Sequence, residues 1–504
     1  MSRVVVVSNR VASPRQAAQS GGVAVAIADL MHQRETLWVG WSGAIGKETG
    51  QGPRIERTGS KGRLVTLSLT EQEHRQYYLG YANSVLWPVF HNRVDLAQLE
   101  AGYYASYQSV NRKFADALKA LLRPDDIIWV HDYHFVPLAD CLRRLGVTNP
   151  IGFFLHIPFP PSQAFLAVPE NLALAHAFAA YDLVGLQTTT DVAHMIDYLE
   201  HGASGRLLPD GRIRVGDRVV AIAAVPVGID PDYFAETARG TAGARDELAR
   251  ILGVDRLDYT KGLPQKFRGF GRFLQQCPEY AGKVILTQIA APTRESVEAY
   301  TDIRKELESV SGAINGAYSD LDWVPIHYIN RTIARSKLPA LYRNARIGLV
   351  TPLRDGMNLV AKEYVASQDV ADPGVLVLSR FAGAAEQMHG ALIINPYNID
   401  EIAQAIASGL EMGLEERRSR HATLMAGLSA GNVHHWSGDF LARLKRAAAS
   451  DAQSPAAPAK AARIKKAMRR LESLAASPPV AADGNLQPGS ELGVDDRQQP
   501  EPLP

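Results

Sequence analysis

The stretch Arg354-Asp355-Gly356-Met357-Asn358-Leu359-Val360-Ala361-Lys362-Glu363 carries the densest chemistry in the chain. It follows an apolar run, Ile347–Val350, and leads into a helical pattern through Ala361, Tyr364, Val365 and Gln368. A strand, a polar turn with glycine and a helix start make an anion site, because the first helical N–H groups lack intrahelical partners and the helix dipole favours negative charge. Asp355 at the turn is placed to hold sugar hydroxyls. Glu363, about two helical turns later, is placed to reach the two hydroxyls of a ribose. Together they suggest a nucleotide-sugar site; the plainer reading is an N-capping Asp and a solvated helical Glu.

Other groups point the same way. Asp255–Gly262 sets the cations Arg256 and Lys261 five residues apart beside a turn glycine. Such a pair neutralises a diphosphate leaving group without a metal, although Arg256 paired with a nearby Asp is the structural alternative. Arg10 and Arg294 follow strands in different halves of the chain, and the planar guanidinium suits a phosphate monoester. Gly21-Gly22 precedes the helical run Val23–Leu30, where paired glycines either admit a ligand close to the backbone or make a flexible turn. Tyr77-Tyr78 and Trp87-Pro88 offer flat faces for a sugar ring, while core packing is the commoner fate of an aromatic. His131-Asp132-Tyr133-His134 raises a metal, but its setting lacks further ligand pairs. A carboxylate that hydrogen-bonds a sugar suits it better.

These residues need a frame. Strands are expected at Val4–Val7, Ile127–Val130, Ile151–Leu155, Leu183–Leu186, Val284–Ile289, Ile347–Val350 and Val375–Leu378. Apolar runs of this length, alternating with helical patterns, predict parallel sheets covered on both faces. The chain is too long for one such sheet, and Val225–Pro231 makes a boundary. The expectation is an α/β chain of two doubly wound domains facing a cleft: residues 1–230, residues 231–430, a C-terminal helix over 431–448, and a disordered Ala/Pro-rich tail over 449–504 holding a basic stretch, Lys460–Leu471. Ligands in such sheets sit beyond the carboxyl ends of the strands. There the sequence places Ser8-Asn9-Arg10, His131–His134, His156–Pro160 and Ala290–Arg294.

Composition narrows the class. The 504 residues are 46% hydrophobic with a net charge of +1. That gives no electrostatic reason for nucleic acid or an anionic membrane as partner. Cys141 and Cys277 are the only cysteines, too few for a disulfide framework, and no Cys/His spacing resembles a zinc site. No leader peptide or membrane-spanning stretch is legible, so a cytoplasmic enzyme is expected. Gly43-Ala44-Ile45-Gly46-Lys47-Glu48 departs from a phosphate loop, with Trp41 for the first glycine and Glu48 for the Ser/Thr. Dinucleotide and serine-hydrolase motifs are missing as well.

From Arg3 to about Leu444 the chain resembles the trehalose-6-phosphate synthases, retaining glycosyltransferases of the GT-B fold. The resemblance rests on Val7-Ser8-Asn9-Arg10, Gly40-Trp41-Ser42-Gly43, Leu86-Trp87-Pro88, His131–His134, Phe153–Pro160, Arg256–Gly262 and Arg354–Glu363. It implies glucose transfer from UDP-glucose to glucose-6-phosphate with retention, giving α,α-trehalose-6-phosphate and UDP. It implies Arg10, Tyr78, Trp87, Asp132 and Arg294 around the acceptor. Gly21, Gly22, Arg256, Lys261, Ile333, Asp355, Asn358, Leu359, Val360, Ala361, Lys362 and Glu363 would hold the donor, with His156 and Asp355 on the transferred glucose. His156, Asp355, Arg256 and Lys261 are thereby the catalytic set. In that family the acceptor hydroxyl attacks on the face the diphosphate leaves, and a phosphate oxygen takes the proton. No protein nucleophile, metal or other cofactor is implied; a homo-oligomer is, with a tetramer as one form. Tyr81-Ala82-Asn83 stands where the family usually has Phe-Ser-Asn. A glucosylglycerol-phosphate synthase and a non-catalytic sugar-phosphate sensor are the alternative readings.

Overall fold

The computed structural model describes residues 2–11, 27, 34–46, 53–58, 62–240, 248–294 and 297–452. Gly21-Gly22, most of the run Val23–Leu30, and the stretch from residue 453 onward, Lys460–Leu471 included, lie outside them. The first half builds strands β1 (Val4–Arg10), β2 (Thr36–Gly46), β3 (Arg54–Thr58), β4 (Gly62–Thr70), β5 (Ile127–His131), β6 (Ile151–Phe154), β7 (Leu183–Leu186), β8 (Arg206–Leu207), β9 (Ile213–Val215) and β10 (Arg218–Ala224). The second half builds β11 (Ala249–Arg256), β12 (Val284–Ala291), β13 (Ile326–Ile329), β14 (Ile347–Val350), β15 (Val375–Ser379) and β16 (Leu392–Ile394). All seven expected strands are present.

The first sheet runs β3-β4-β2-β1-β5-β6-β7-β10-β9-β8 and the second β13-β12-β11-β14-β15-β16. From β4 to β10 the first sheet is parallel, and β3, β8 and β9 are antiparallel additions at its edges. The second is parallel throughout. Continuous valine explains β1: Val4–Val7 are fully buried because helices cover both faces. The order in each sheet reverses at its first strand, between β1 and β5 in one and between β11 and β14 in the other. Such reversals splay the flanking loops apart and open a crevice at the carboxyl ends of the strands. Arg10 and Arg256 end β1 and β11 there, and the loops carry Asp132, Lys261 and Asp355.

β2, β3, β4, β8, β9, β10, β11, β13 and β16 are not among the seven strands legible in the sequence. β11 is broken by Gly253, and β2 runs through the glycines that look like a phosphate loop; their pairing with β1, β4, β12 and β14 makes them strands. The helix Val433–Ala452 begins after Val225–Pro231 has linked the two sheets, and it packs back on the first one. Its Phe440 stacks 4.6 Å from Trp129, and its Trp436 lies 5.0 Å from Trp129. The helix continues three residues beyond the composition change at Ala449, as helix-favouring alanines allow.

Candidate active site

The second sheet's crevice is built by hydrogen bonds between two loops. After β11, Asp258 caps a short turn by accepting from Thr260 N at 3.0 Å and Thr260 Oγ1 at 2.9 Å. The carbonyl of Thr260 in turn accepts Leu353 N at 2.7 Å, drawing in the loop after β14. This brings Lys261 Nζ to 2.6 Å from Asp355 Oδ2. Asn358 Nδ2 donates to the same oxygen at 3.1 Å. Burial pushes the Asp355 carboxyl up, but the Lys261 charge and hydrogen bond, with help from His91 and Asn358, carry it below its ordinary value. Asp355 is therefore a fixed anion.

Asn358 opens the helix Leu359–Ala366 with φ of 78°, and its side-chain oxygen takes the N–H of Ala361. The helix start beside it keeps the N-terminal character an anion needs. Glu363 is buried, accepts from Tyr342 Oη at 3.1 Å, and is pushed up to about 7 by burial, with Arg335 and Tyr342 pulling the other way. Lys362 is also buried, but its Nζ donates to the Val227 carbonyl at 2.8 Å and to Gln387 Oε1 at 2.9 Å. Its ammonium thus holds the linker between the sheets, and what it offers a ligand is its backbone. Burial lowers it to about 7. Ile333, after β13, is half-buried against the core.

The first sheet brings a different chemistry. Asp132 follows β5 with φ of 75° and accepts from His156 N at 3.2 Å; burial pushes its carboxyl up to about 6. His156 follows β6, and its Nε2 lies 3.0 Å from His131 Nδ1, one ring donating to the other. Burial lowers His156 to about 3, so it is neutral at pH 7 and a poor proton acceptor. The two crevices touch here. A side chain at Gly356 would start 2.2 Å from the His156 carbonyl oxygen, so only glycine lets the loop after β14 approach. Across the same junction, Glu386 accepts from the N–H and hydroxyl groups of Thr189 and Thr190 at the start of the helix Thr189–Asp197.

Tyr78 lies on a π-helix, His74–Leu86. Asn83 Nδ2 and Ser84 Oγ each donate to the carbonyl five residues back, at 2.6 and 2.8 Å, which props the wide turn open. Its half-buried ring packs between Trp41 and His134, and Arg10 lies over Trp41 at 4.9 Å with an exposed side chain. Tyr81, where the resembling family has Phe, turns its hydroxyl away to Glu170 at 3.0 Å.

Arg294 is where the halves meet. It follows β12 of the second sheet, yet its guanidinium stacks on Trp87 at 3.9 Å and donates to Tyr133 Oη at 3.1 Å, both from the first half. Arg294 Nη1 also donates to Tyr300 Oη at 2.6 Å and to Asp258 Oδ2 at 3.4 Å. Arg256 lies over the same indole at 5.2 Å. Asp132, Arg294 and Asn358 are three of the five non-glycine residues with positive φ among the described residues. Such backbone costs free energy and gathers where function holds it.

Arg256, Lys261, Asp355, Trp87, Arg294, Asp132 and His156, all expected at the site from the sequence, lie in a connected set of contacts that three further residues shape. Asp258 and Tyr133 lie inside motifs whose evident chemistry belongs to their neighbours, and nothing in the sequence singles out Tyr300. His91, four residues after Trp87, donates from Nδ1 to the Trp87 carbonyl at 2.7 Å. Its Nε2 is therefore the unprotonated nitrogen, and burial lowers its pKa to about 4. Among the described residues, no group of three or more His, Cys, Asp or Glu is arranged to hold a metal ion, and no helix is long and apolar enough to cross a membrane.

The model of glycosyltransferase family 20 matches residues 3–446. The trehalose-6-phosphate synthase of Sodalis glossinidius is 44% identical over 454 residues, 88% of this chain and 96% of that protein. An α,α-trehalose-phosphate synthase (UDP-forming) from Burkholderia xenovorans, solved in complex with glucose-6-phosphate, superposes with a TM-score of 0.84 at 45% identity, covering 88% of this chain and all of that one. A trehalose-6-phosphate structure from E. coli bound with UDP-2-fluoro glucose superposes with a TM-score of 0.84 at 43% identity, covering 88% and 99%.

Proposed function

The chain belongs to glycosyltransferase family 20, and from that premise we propose that it transfers glucose from UDP-glucose to glucose-6-phosphate with retention, forming α,α-trehalose-6-phosphate and UDP. One observation carries the reading for this chain: Arg256 and Arg294 flank a single indole, Trp87, at 5.2 and 3.9 Å. Two cations held at a fixed separation suit a donor diphosphate and an acceptor phosphate monoester bound in one crevice.

In this reading the donor diphosphate lies between Arg256, Lys261 and the start of the helix Leu359–Ala366, with Glu363 on the ribose and Ile333 near the base. Asp355 and His156 hold the transferred glucose. Arg10, Tyr78, Trp87, Asp132 and Arg294 hold the acceptor. The bond from the anomeric carbon to the diphosphate breaks as the acceptor's anomeric hydroxyl attacks the same face. The hydroxyl proton passes to a departing phosphate oxygen. Support comes from the two side chains placed on the transferred glucose being unsuited as bases: Asp355 is engaged by Lys261 and Asn358, and His156 is too weak a base. Catalysis is then positioning and neutralisation of the leaving charge, performed by Arg256 and Lys261 with no metal step. The cytoplasm, where both phosphorylated substrates are available, is its setting.

The test is a matrix of UDP-, GDP- and ADP-glucose against glucose-6-phosphate and glycerol-3-phosphate, read by nucleotide release and product mass. UDP release that depends on glucose-6-phosphate is the expected result. Turnover only with glycerol-3-phosphate, or no turnover with any pair, overturns the proposal.

A further inference from the structure

Asp258 is fully buried, and both of its oxygens are used. One oxygen holds the turn that carries Lys261, through Thr260 N at 3.0 Å and Thr260 Oγ1 at 2.9 Å. The other accepts Tyr300 Oη at 3.1 Å and Arg294 Nη1 at 3.4 Å. A single carboxylate therefore fixes the lysine assigned to the donor diphosphate and the arginine assigned to the acceptor phosphate. The chain of contacts goes on through the Thr260 carbonyl to Leu353 N at 2.7 Å, two residues before Asp355.

Arg294 can bind an anion without leaving this arrangement. Nη1 is taken by Tyr300 and Asp258, and one Nη2 hydrogen by Tyr133. The Nε–H and the second Nη2–H have no partner among the described residues, which leaves donors on the Nε/Nη2 edge for a phosphate. A ligand on that edge immobilises the guanidinium, which immobilises Asp258 and the turn beyond it. A ligand on Lys261 does the same from the other end. Whichever binds first orders the shared chain, and the second binds to a site already ordered.

We infer that Asp258 is a positioning residue through which acceptor phosphate and donor diphosphate strengthen one another's binding. The inference rests on the assignment of Arg294 and Lys261 to the two substrates. Linkage requires the effect to be reciprocal: UDP tightens glucose-6-phosphate by the same factor as glucose-6-phosphate tightens UDP.

The experiment is calorimetry on the full chain, titrating UDP and glucose-6-phosphate each alone and each with the other saturating. The wild type is expected to show a mutual enhancement on the order of fivefold or more. Asp258→Asn keeps an oxygen for Thr260 but turns an amide N–H toward Arg294, and its enhancement should fall toward one while each ligand still binds alone. Tyr300→Phe removes the hydroxyl shared by Asp258 and Arg294 and leaves the Thr260 contacts intact. It should lower the enhancement without weakening UDP on its own, and it serves if Asp258→Asn does not fold. A merely structural role would lower the melting temperature and leave the ratio unchanged. An undiminished ratio in a folded variant, or a wild-type ratio of one, overturns the inference. Failure of the substrate assignment shows differently, as a wild type that takes up neither ligand.

Discussion

The buried Glu363 makes donor recognition sensitive to pH near neutrality. Its carboxyl is buried among Tyr342 and the helix Leu359–Ala366 and is pushed up to about 7. Two ribose hydroxyls donating to it need the ionised form, since protonation turns one acceptor into a donor. At pH 8 the group is mostly ionised; at pH 6 only about one-tenth is, because one pH unit below the pKa is a tenfold ratio. UDP-glucose should therefore bind about tenfold more weakly at pH 6 than at pH 8, equivalent to about 1.4 kcal/mol. The donor's diphosphate is a diester and stays ionised throughout, so the ligand does not contribute the slope. The assay is donor kcat/KM with saturating glucose-6-phosphate from pH 6 to 8, together with direct UDP-glucose binding. Glu363→Gln should bind about 10-fold or more weakly at pH 8, the loss of a charged hydrogen-bond acceptor, and should show no slope. A wild type that is flat across this range, or a Gln variant with an equal slope, would refute the reasoning.

Arg294→Lys keeps a cation beside Asp258 but loses the fork, so glucose-6-phosphate binding should weaken about tenfold while UDP alone binds as before; equal weakening of UDP would move Arg294 to the donor. Acid should destabilise the fold. His91, His134 and His156 have folded pKa values lowered to about 4, 3 and 3 by burial, below the 6.5 of an unfolded histidine. Their contribution is present above pH 6.5 and is lost as pH falls, whereas Glu363 and Asp132, with raised values, gain stability over the same fall. The histidines outweigh them, and between pH 7.5 and 5.5 these five groups give a net loss of about 1–2 kcal/mol; an unchanged melting temperature would contradict it. Phe440→Ala should cost about 3–5 kcal/mol in urea unfolding, because Phe440 fills space left by Gly152 and Gly185, where a Cβ would lie 2.8 Å from its ring. A loss under 1 kcal/mol would mean that the C-terminal helix contributes little to the fold.

The sequence by itself determined seven of the strands, because short continuous runs of valine, isoleucine and leucine between helix-length segments suit parallel strands covered on both faces. It also determined the chemical types at their carboxyl ends, where backbone geometry puts Arg10, Asp132, His156 and Asp355 whatever the rest of the chain does. β2 and β11 escaped it, since glycine within a strand weakens the local signal and only pairing with neighbouring strands restores it. Charge states were decided by the tertiary structure alone: Glu363 and Lys362 are adjacent in sequence, yet each meets its own buried partners, Tyr342 for one and the Val227 carbonyl for the other. So was the meeting of Arg294 with Trp87 and Tyr133, which are 207 and 161 residues away along the chain. Periodicity reports which face of an element is buried. Which two faces oppose one another, and how much water lies between them, depends on how two independently wound sheets are set against each other, and no local pattern encodes that.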